Sequence, residues 1–223
     1  MMTNKYIPFI FSLFFSLLFG SCSNANFLSS SYSTSFELIV DYFLEEKETF
    51  TREQVDAIPY ASALLSFGNK TSSLIILESI KNKNNTWISS DQIRFKESDG
   101  RVFQTIGLSN DLYSIERPKI KFEDILEENA ISYITYYSFK KPDLNNLKVL
   151  VRAQVIGLKT ISILGEEKEL LLIEEQIFSD RVNWHATNKF WIDPNSSYVW
   201  KSIQSISPKL PPLEMTVTKK PAI

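Results

Sequence analysis

From Leu147 to Val155 the chain alternates: Leu147, Val149, Val151, Ala153 and Val155 are separated by Lys148, Arg152 and Gln154 among the intervening positions. Successive side chains of an extended chain point to opposite faces, so this period of two gathers five apolar groups on one side. A helix would scatter the same five around its circumference. The stretch therefore reads as an antiparallel strand with one face on a core and the other in water.

The same period recurs along the chain. Ser132–Phe139 places Tyr133, Thr135, Tyr137 and Phe139 on one face. Tyr60–Phe67 and Ser72–Ile80 read as strands around Gly68-Asn69-Lys70, and Thr86–Ser90 follows a polar turn at Lys81–Asn85. Gln92–Glu97 and Arg101–Ile106 flank Ser98-Asp99-Gly100, whose Asp-Gly pair tolerates positive φ and marks a hairpin. Glu169–Phe178 follows a turn at Gly165, and Val182–Ile192 and Tyr198–Ile206 flank Asp193-Pro194-Asn195-Ser196. Pro208, Pro211 and Pro212 introduce a Pro-rich C-terminal tail in which Met215–Thr218 adds a last edge strand. Turn signals every ~8–12 residues, with no βαβ alternation, predict an all-β fold: a mainly antiparallel sandwich or barrel-like sheet.

Two helices accompany the strands. Thr34 and Glu37 make a capping box, and Phe36, Ile39, Val40, Phe43 and Leu44 form an N-terminal amphipathic stripe suited to pack on the core. A short internal helix over Glu123–Asn129 turns Ile125 and Leu126 inward.

The N-terminus carries an address. Lys5 ends a short polar segment, and Tyr6–Phe19 is nearly all Phe, Leu and Ile. That run is shorter than the ~20 apolar residues a bilayer needs and matches the h-region of a signal peptide. It closes on Leu17-Leu18-Phe19-Gly20-Ser21-Cys22, with small residues before the single cysteine of the chain. This is a lipobox: residues 1–21 are a lipoprotein signal peptide cut before Cys22, whose sulfur takes a diacylglyceryl group. The rival readings are a secreted protein with a free thiol and an uncleaved anchor. A lone cysteine has no internal disulfide partner, and lipidation accounts for it. Each buried acyl CH₂ contributes ~0.8 kcal/mol to anchoring. Residues 22–33, rich in Ser and Asn, form a flexible tether; residues 34–223 form a single β-rich periplasmic domain. Ser23 in place of Asp after the cysteine points to the outer membrane.

Residue supply narrows the chemistry. The net charge is −2, which argues against nucleic acid as a partner. There is one histidine, His185, in Asn183-Trp184-His185-Ala186-Thr187, without a Gly-x-Ser-x-Gly elbow anywhere, so it reads as a structural or surface group. With one His and a lipidated Cys, a Cys/His metal cluster has no ligands, and six glycines include no phosphate-cradling loop. No metal and no cofactor are expected. Asp91, Glu97, Asp99 and Asp193 lie at turns and strand ends, but nothing singles out the pair that glycoside chemistry needs. Glu174-Glu175 and Glu127-Glu128 read as solvated faces. Trp87, Trp184, Trp191 and Trp200 read as core rings or, alternatively, as a surface for glycan or a partner protein.

Two segments carry a resemblance. The first holds Ile58-Pro59-Tyr60-Ala61-Ser62, Gly68, Leu74-Ile75-Ile76-Leu77, Trp87-Ile88-Ser89-Ser90-Asp91, Gly100-Arg101-Val102 and Thr105-Ile106-Gly107-Leu108 with Asp111-Leu112. The second holds Asn188-Lys189-Phe190-Trp191-Ile192-Asp193, then Val199-Trp200-Lys201-Ser202-Ile203-Gln204 and Pro208. With the lipobox, these resemble the YjbF/GfcB family of group 4 capsule and exopolysaccharide lipoproteins. Pro118 to Arg181 matches only loosely, and Ser196-Ser197 stand where the family often has a glycine before the final Val-Trp. The resemblance implies an outer-membrane lipoprotein facing the periplasm, encoded beside polysaccharide-export components that include a large outer-membrane β-barrel protein. It carries over no catalytic residue.

The expected function is a non-enzymatic assembly or adaptor role in capsule or exopolysaccharide secretion. The alternatives are a periplasmic glycan- or lipid-binding module and, third, a glycan-modifying enzyme. Replacing the anchor residue tests the address directly: Cys22→Ala is expected to abolish labelling by a palmitate analogue and to leave the protein unprocessed or released. Unchanged labelling of that variant would refute the lipobox.

Overall fold

Three tight turns fix how the strands pair. Asn82-Lys83, Asp99-Gly100 and Leu164-Gly165 each place two consecutive residues at positive φ (53° and 64°, 52° and 75°, 50° and 85°). That is the turn whose twist matches the right-handed twist of flanking strands. In the computed structural model, which describes residues 50–221, these turns join β2 (Ser73–Lys81) to β3 (Asn84–Ile88), β4 (Arg94–Ser98) to β5 (Arg101–Ile106), and β8 (Leu144–Ile163) to β9 (Glu166–Ser179). The remaining strands are β1 (Ser62–Phe67), β6 (Asp111–Glu116), β7 (Ala130–Lys140), β10 (Trp184–Ile192), β11 (Val199–Gln204) and β12 (Leu213–Lys219). Two short helices, α1 (Arg52–Asp56) and α2 (Phe122–Glu128), accompany them.

All twelve strands form one antiparallel sheet in the order β5-β4-β3-β2-β1-β12-β11-β10-β9-β8-β7-β6. Strands adjacent in sequence are laddered to each other, with one exception at β5 and β6, the two edges. There the sheet curls until side chains bridge the gap. Gln104 Nε2 donates to the Tyr113 carbonyl (3.0 Å), Leu112 N–H donates to Thr105 Oγ1 (2.9 Å), and Thr105 Oγ1 donates to Asp111 Oδ1 (3.0 Å). The result is a nearly closed barrel, the barrel-like form of the expected all-β fold.

The alternation holds where it was strongest. Leu147, Val149, Val151 and Ala153 are all buried against the core, and Arg152 and Lys148 face out. At a β-bulge between Val155 and Gly157 the register with β9 shifts, while the outward positions of β8 continue unchanged and expose Ile156 and Leu158. The main core gathers inward rings and branched chains, among them Trp87, Phe95, Phe139, Trp184 and Leu213. A second cluster, Phe122, Ile125, Ile173, Phe190, Ile192 and Val199, seats α2. Phe122 and Ile125 provide the buried contacts of this helix, with Leu126 half-buried.

Several expectations change. Met215–Thr218 is not an edge strand: as part of β12 it lies between β1 and β11, pairing Leu65 with Met215 and Ser202 with Met215. The Pro-rich stretch is accordingly a loop between β11 and β12, not a tail, and its Pro212 carbonyl accepts from Gly68 N–H (2.8 Å). Strand β6 is additional; only Leu112 of it is buried, so its alternation is weak. Helix α1 is also additional, capped by a box between Thr51 and Gln54. Ser197 adopts φ +55°, in the left-handed region that favours glycine. The amphipathic helix expected from Thr34 lies outside the described residues.

One turn does more than reverse the chain. The tip of the β4–β5 hairpin lies against the inward face of β11, and a Cβ built on Gly100 would meet the Val199 Cβ at 2.4 Å. Its φ of +75° is also one that L side chains rarely adopt. Gly100→Ala is therefore expected to destabilise the fold by roughly 2–4 kcal/mol, combining overpacking and left-handed strain. Urea unfolding monitored by tryptophan fluorescence measures it. Gly165→Ala, where a Cβ would meet nothing within 4 Å, should cost less.

Candidate functional site

On β9 the inward positions run Ile173, Glu175, Ile177. Period two thus carries a carboxylate into the barrel, where Glu175 is 4% exposed. This corrects the reading of Glu174-Glu175 as a solvated pair. Only Glu174 faces out, bound to Lys189 across the ladder at 3.2 Å. Isolated burial of a charge costs far more than a fold can offset, and β5 supplies the partner. Arg101 Nη2 lies 2.7 Å and its Nε 3.0 Å from Glu175 Oε1, and Tyr133 donates its hydroxyl to the same oxygen at 3.3 Å. The guanidinium also covers the Phe122 ring at 3.5 Å, a cation–π contact that ties α2 to the ion pair.

Neighbouring groups respond to this buried charge. Burial, then the positive charge of Arg101, holds the Arg117 guanidinium below its ordinary pKa. Burial, then Glu175, pushes the phenols of Tyr133 and Tyr137 up. Gln204 of β11 completes the cross-link to β5: its Oε1 accepts from Val102 N–H (3.0 Å) and its Nε2 donates to the Gly100 carbonyl (2.8 Å). A cavity of about 20 Å³ beside this network is large enough for a single water.

A far larger cavity, about 610 Å³, opens on the other side of the β4–β5 tip. Its floor is Val199, Ser202, Met215 and Val217; Phe122 and Tyr198 stand at its side. Glu97 projects into it, 5% exposed. Glu97 Oε1 accepts from Asn85 Nδ2 (2.5 Å) and Trp87 Nε1 (3.4 Å), and Oε2 accepts from Gly100 N–H (2.7 Å). Burial pushes this carboxyl up, against the pull of those three donors. At the rim, a hydrogen bond from Ser197 holds the Glu123 carboxyl below its usual range.

The sequence-derived candidates are dispersed. Trp87 and Trp184 are 1% and 5% exposed, which removes both as glycan or partner contacts. Trp184 packs edge-on to Tyr137 at 5.4 Å. Trp191 and Trp200 are half-buried, beneath the ammonium groups of Lys201 (5.5 Å) and Lys168 (4.2 Å) respectively. The four rings share no single surface. His185 is exposed, its ring tilted against that of Phe178 with centroids 4.5 Å apart. Of the candidate acids, Glu97 and Asp99 line the large cavity; Asp91 sits at an exposed turn, and Asp193 accepts from Asn195 and Ser196 N–H within its own turn. Among the described residues no group of three or more His, Cys, Asp or Glu is placed to hold a metal. Cys22 lies outside the described residues. Sequence reasoning missed Arg101 and Glu175, although the slot between Ile173 and Ile177 was a usable signal.

Residues 17–218 match the family described as group 4 capsule polysaccharide lipoprotein gfcB, YjbF. The chain is 23% identical over 219 residues to the uncharacterized lipoprotein GfcB of Escherichia coli K12, spanning 95% of this chain and 98% of that one. Its fold resembles the crystal structure of the hypothetical lipoprotein YmcC from Escherichia coli K12, with a TM-score of 0.67 at 19% identity, covering 90% of this chain and 100% of that chain.

Removing one member of the buried pair strands the other. Arg101→Met is expected to cost about 3–5 kcal/mol, and Arg101→Met with Glu175→Met should recover most of the loss. A denaturation double-mutant cycle measures both. Glu97 predicts a pH effect of definite sign. A carboxyl whose folded pKa lies above its ordinary 4.5 binds its proton more tightly in the native state, so stability falls as pH rises from 4.5 through the folded value. Relative to wild type, Glu97→Gln should therefore gain stability as pH rises across that window, read from paired urea titrations.

Proposed function

The chain belongs to the group 4 capsule polysaccharide lipoprotein family, and on that premise we propose that it serves as a non-enzymatic assembly component of capsule or exopolysaccharide secretion. In this reading it is held by lipid on Cys22 at the periplasmic face of the outer membrane. It docks there to the outer-membrane β-barrel protein and other components of the export machinery.

The observation that carries the reading is on the outer wall. Ile134 of β7, Leu150 of β8 and Phe178 of β9 are paired neighbours in the ladders, forming one apolar row across three strands. Ile134 and Leu150 are 43% and 47% exposed. Tyr136 lies beside the row, and Ile156 and Leu158 form a second exposed apolar pair further along β8, separated from the row by Arg152 and Gln154. A contiguous exposed apolar surface of this kind marks an interaction face more often than a neutral exterior. The buried polar groups, by contrast, hold the barrel together: the charged Glu175 is committed to Arg101, and the neutral Gln204 to the β5 backbone.

A clean chromosomal deletion is expected to lower surface polysaccharide, and the wild-type gene to restore it. Leu150→Glu with Leu158→Glu should fold normally, since both sites face water, yet fail to complement. A photo-crosslinker at Ile134 should capture an outer-membrane partner. Wild-type polysaccharide in the deletion strain would overturn the reading.

A further inference from the structure

The 610 Å³ cavity is separate from the docking row and has the size of a ligand pocket, typically ~300–1,000 Å³. Its lining combines apolar and aromatic side chains, Val199, Met215, Val217, Phe122 and Tyr198, with the hydrogen-bonding groups of Asn85, Glu97, Ser196, Ser197 and Ser202. Charge at the rim is mixed, with Asp99 and Glu123 against Lys83 and Lys121.

Glu97 is the fixed point of the polar lining. A carboxylate offers about four acceptor positions. Two on Oε1 are taken by Asn85 and Trp87, and one on Oε2 by the Gly100 N–H. The remaining position on Oε2 is left to a donor entering the cavity. Three donors already hold the group in place, so a ligand hydroxyl or amine would meet a preorganised acceptor.

We propose that this cavity binds a short oligosaccharide of neutral or amino-bearing sugars. A sugar ring has an apolar face for Tyr198 and the aliphatic lining, and hydroxyls for Glu97 and the serines. An acyl chain would leave the open position on Glu97 Oε2 desolvated without a donor, which costs about 1–3 kcal/mol. An acidic sugar would face three carboxyl groups, Glu97, Asp99 and Glu123, against two lysines.

Calorimetry on the full-length, detergent-solubilised protein tests this with five probes: cellobiose, diacetylchitobiose, the glucosamine disaccharide, digalacturonate and decanoate. A neutral or amino disaccharide should bind at millimolar concentration or below. Glu97→Gln, which keeps the shape of the group but removes one acceptor oxygen, should weaken binding at least tenfold. Ser196→Trp, at the exposed rim, should block entry while leaving the thermal unfolding midpoint unchanged. Lys159→Ala, on the outer wall, should bind as wild type. Absence of heat with all three neutral or amino disaccharides, preference for digalacturonate or decanoate, or sugar binding that survives both cavity substitutions would each overturn the proposal. The docking role is judged by polysaccharide export, so either can fail alone.

Discussion

The Arg101–Glu175 pair sets the terms for the interior. Two charges removed from water gain little net stability over well-packed apolar residues, because desolvation offsets attraction. What the pair does is fix an arrangement. Arg101 reaches Glu175 only if the start of β5 lies across the barrel toward β9, eight places away in the sheet order. With that strand start in place, Gly100 can touch Val199, Val102 can meet Gln204, and Phe122 can slide beneath the guanidinium. A sheet of this length could close around several interiors; a buried ion pair drawn from β5 and β9 admits few of them.

The same constraint divides the space inside. On one side of the β4–β5 tip, the aromatic and aliphatic core is filled to a remnant of about 20 Å³. On the other, the tip and α2 leave about 610 Å³ open, bordered by a carboxyl held from three directions. The outer surface is divided as well. Lys189 with Glu174 and Lys201 with Glu214 lace the polar strands, whereas β7, β8 and β9 present unpaired apolar side chains. The two surfaces proposed for recognition, inside and outside, thus use different chemistry and different strands.

Much of this was legible in the chain because period two survives wherever one face is buried. Leu147 to Ala153 needed no tertiary information, and Asp99-Gly100 declared its turn through residues that accept positive φ. Legibility failed where the pattern and the polarity disagreed. Glu175 occupies an inward slot, but its charge argued for the surface until Arg101, 74 positions earlier, was seen to meet it. Strand β6 shows little alternation because its outer neighbour is a side-chain seam in place of a ladder. The central position of β12 depends on a pairing with β1 that no local pattern encodes. Trp87 and Trp184 were visible as rings, but which face they occupied depended on neighbours such as Phe95 and Tyr137.

The union of β1 with β12 has a consequence for the timing of assembly. Ser62 and Thr218, hydrogen-bonded side chain to side chain, are separated by 156 positions. Hairpins such as β2–β3, β4–β5 and β8–β9 can form from neighbours alone, but joining these two strands requires closure of a loop containing nearly the whole described sheet, a slow step for contacts so distant in sequence. A chain threaded across a membrane from its N-terminus presents β1 first and β12 last. Until the last strand arrives, β1 keeps an open hydrogen-bonding edge, the kind of edge that recruits stray strands. The interval between those two events is when such a protein would most need protection from its neighbours.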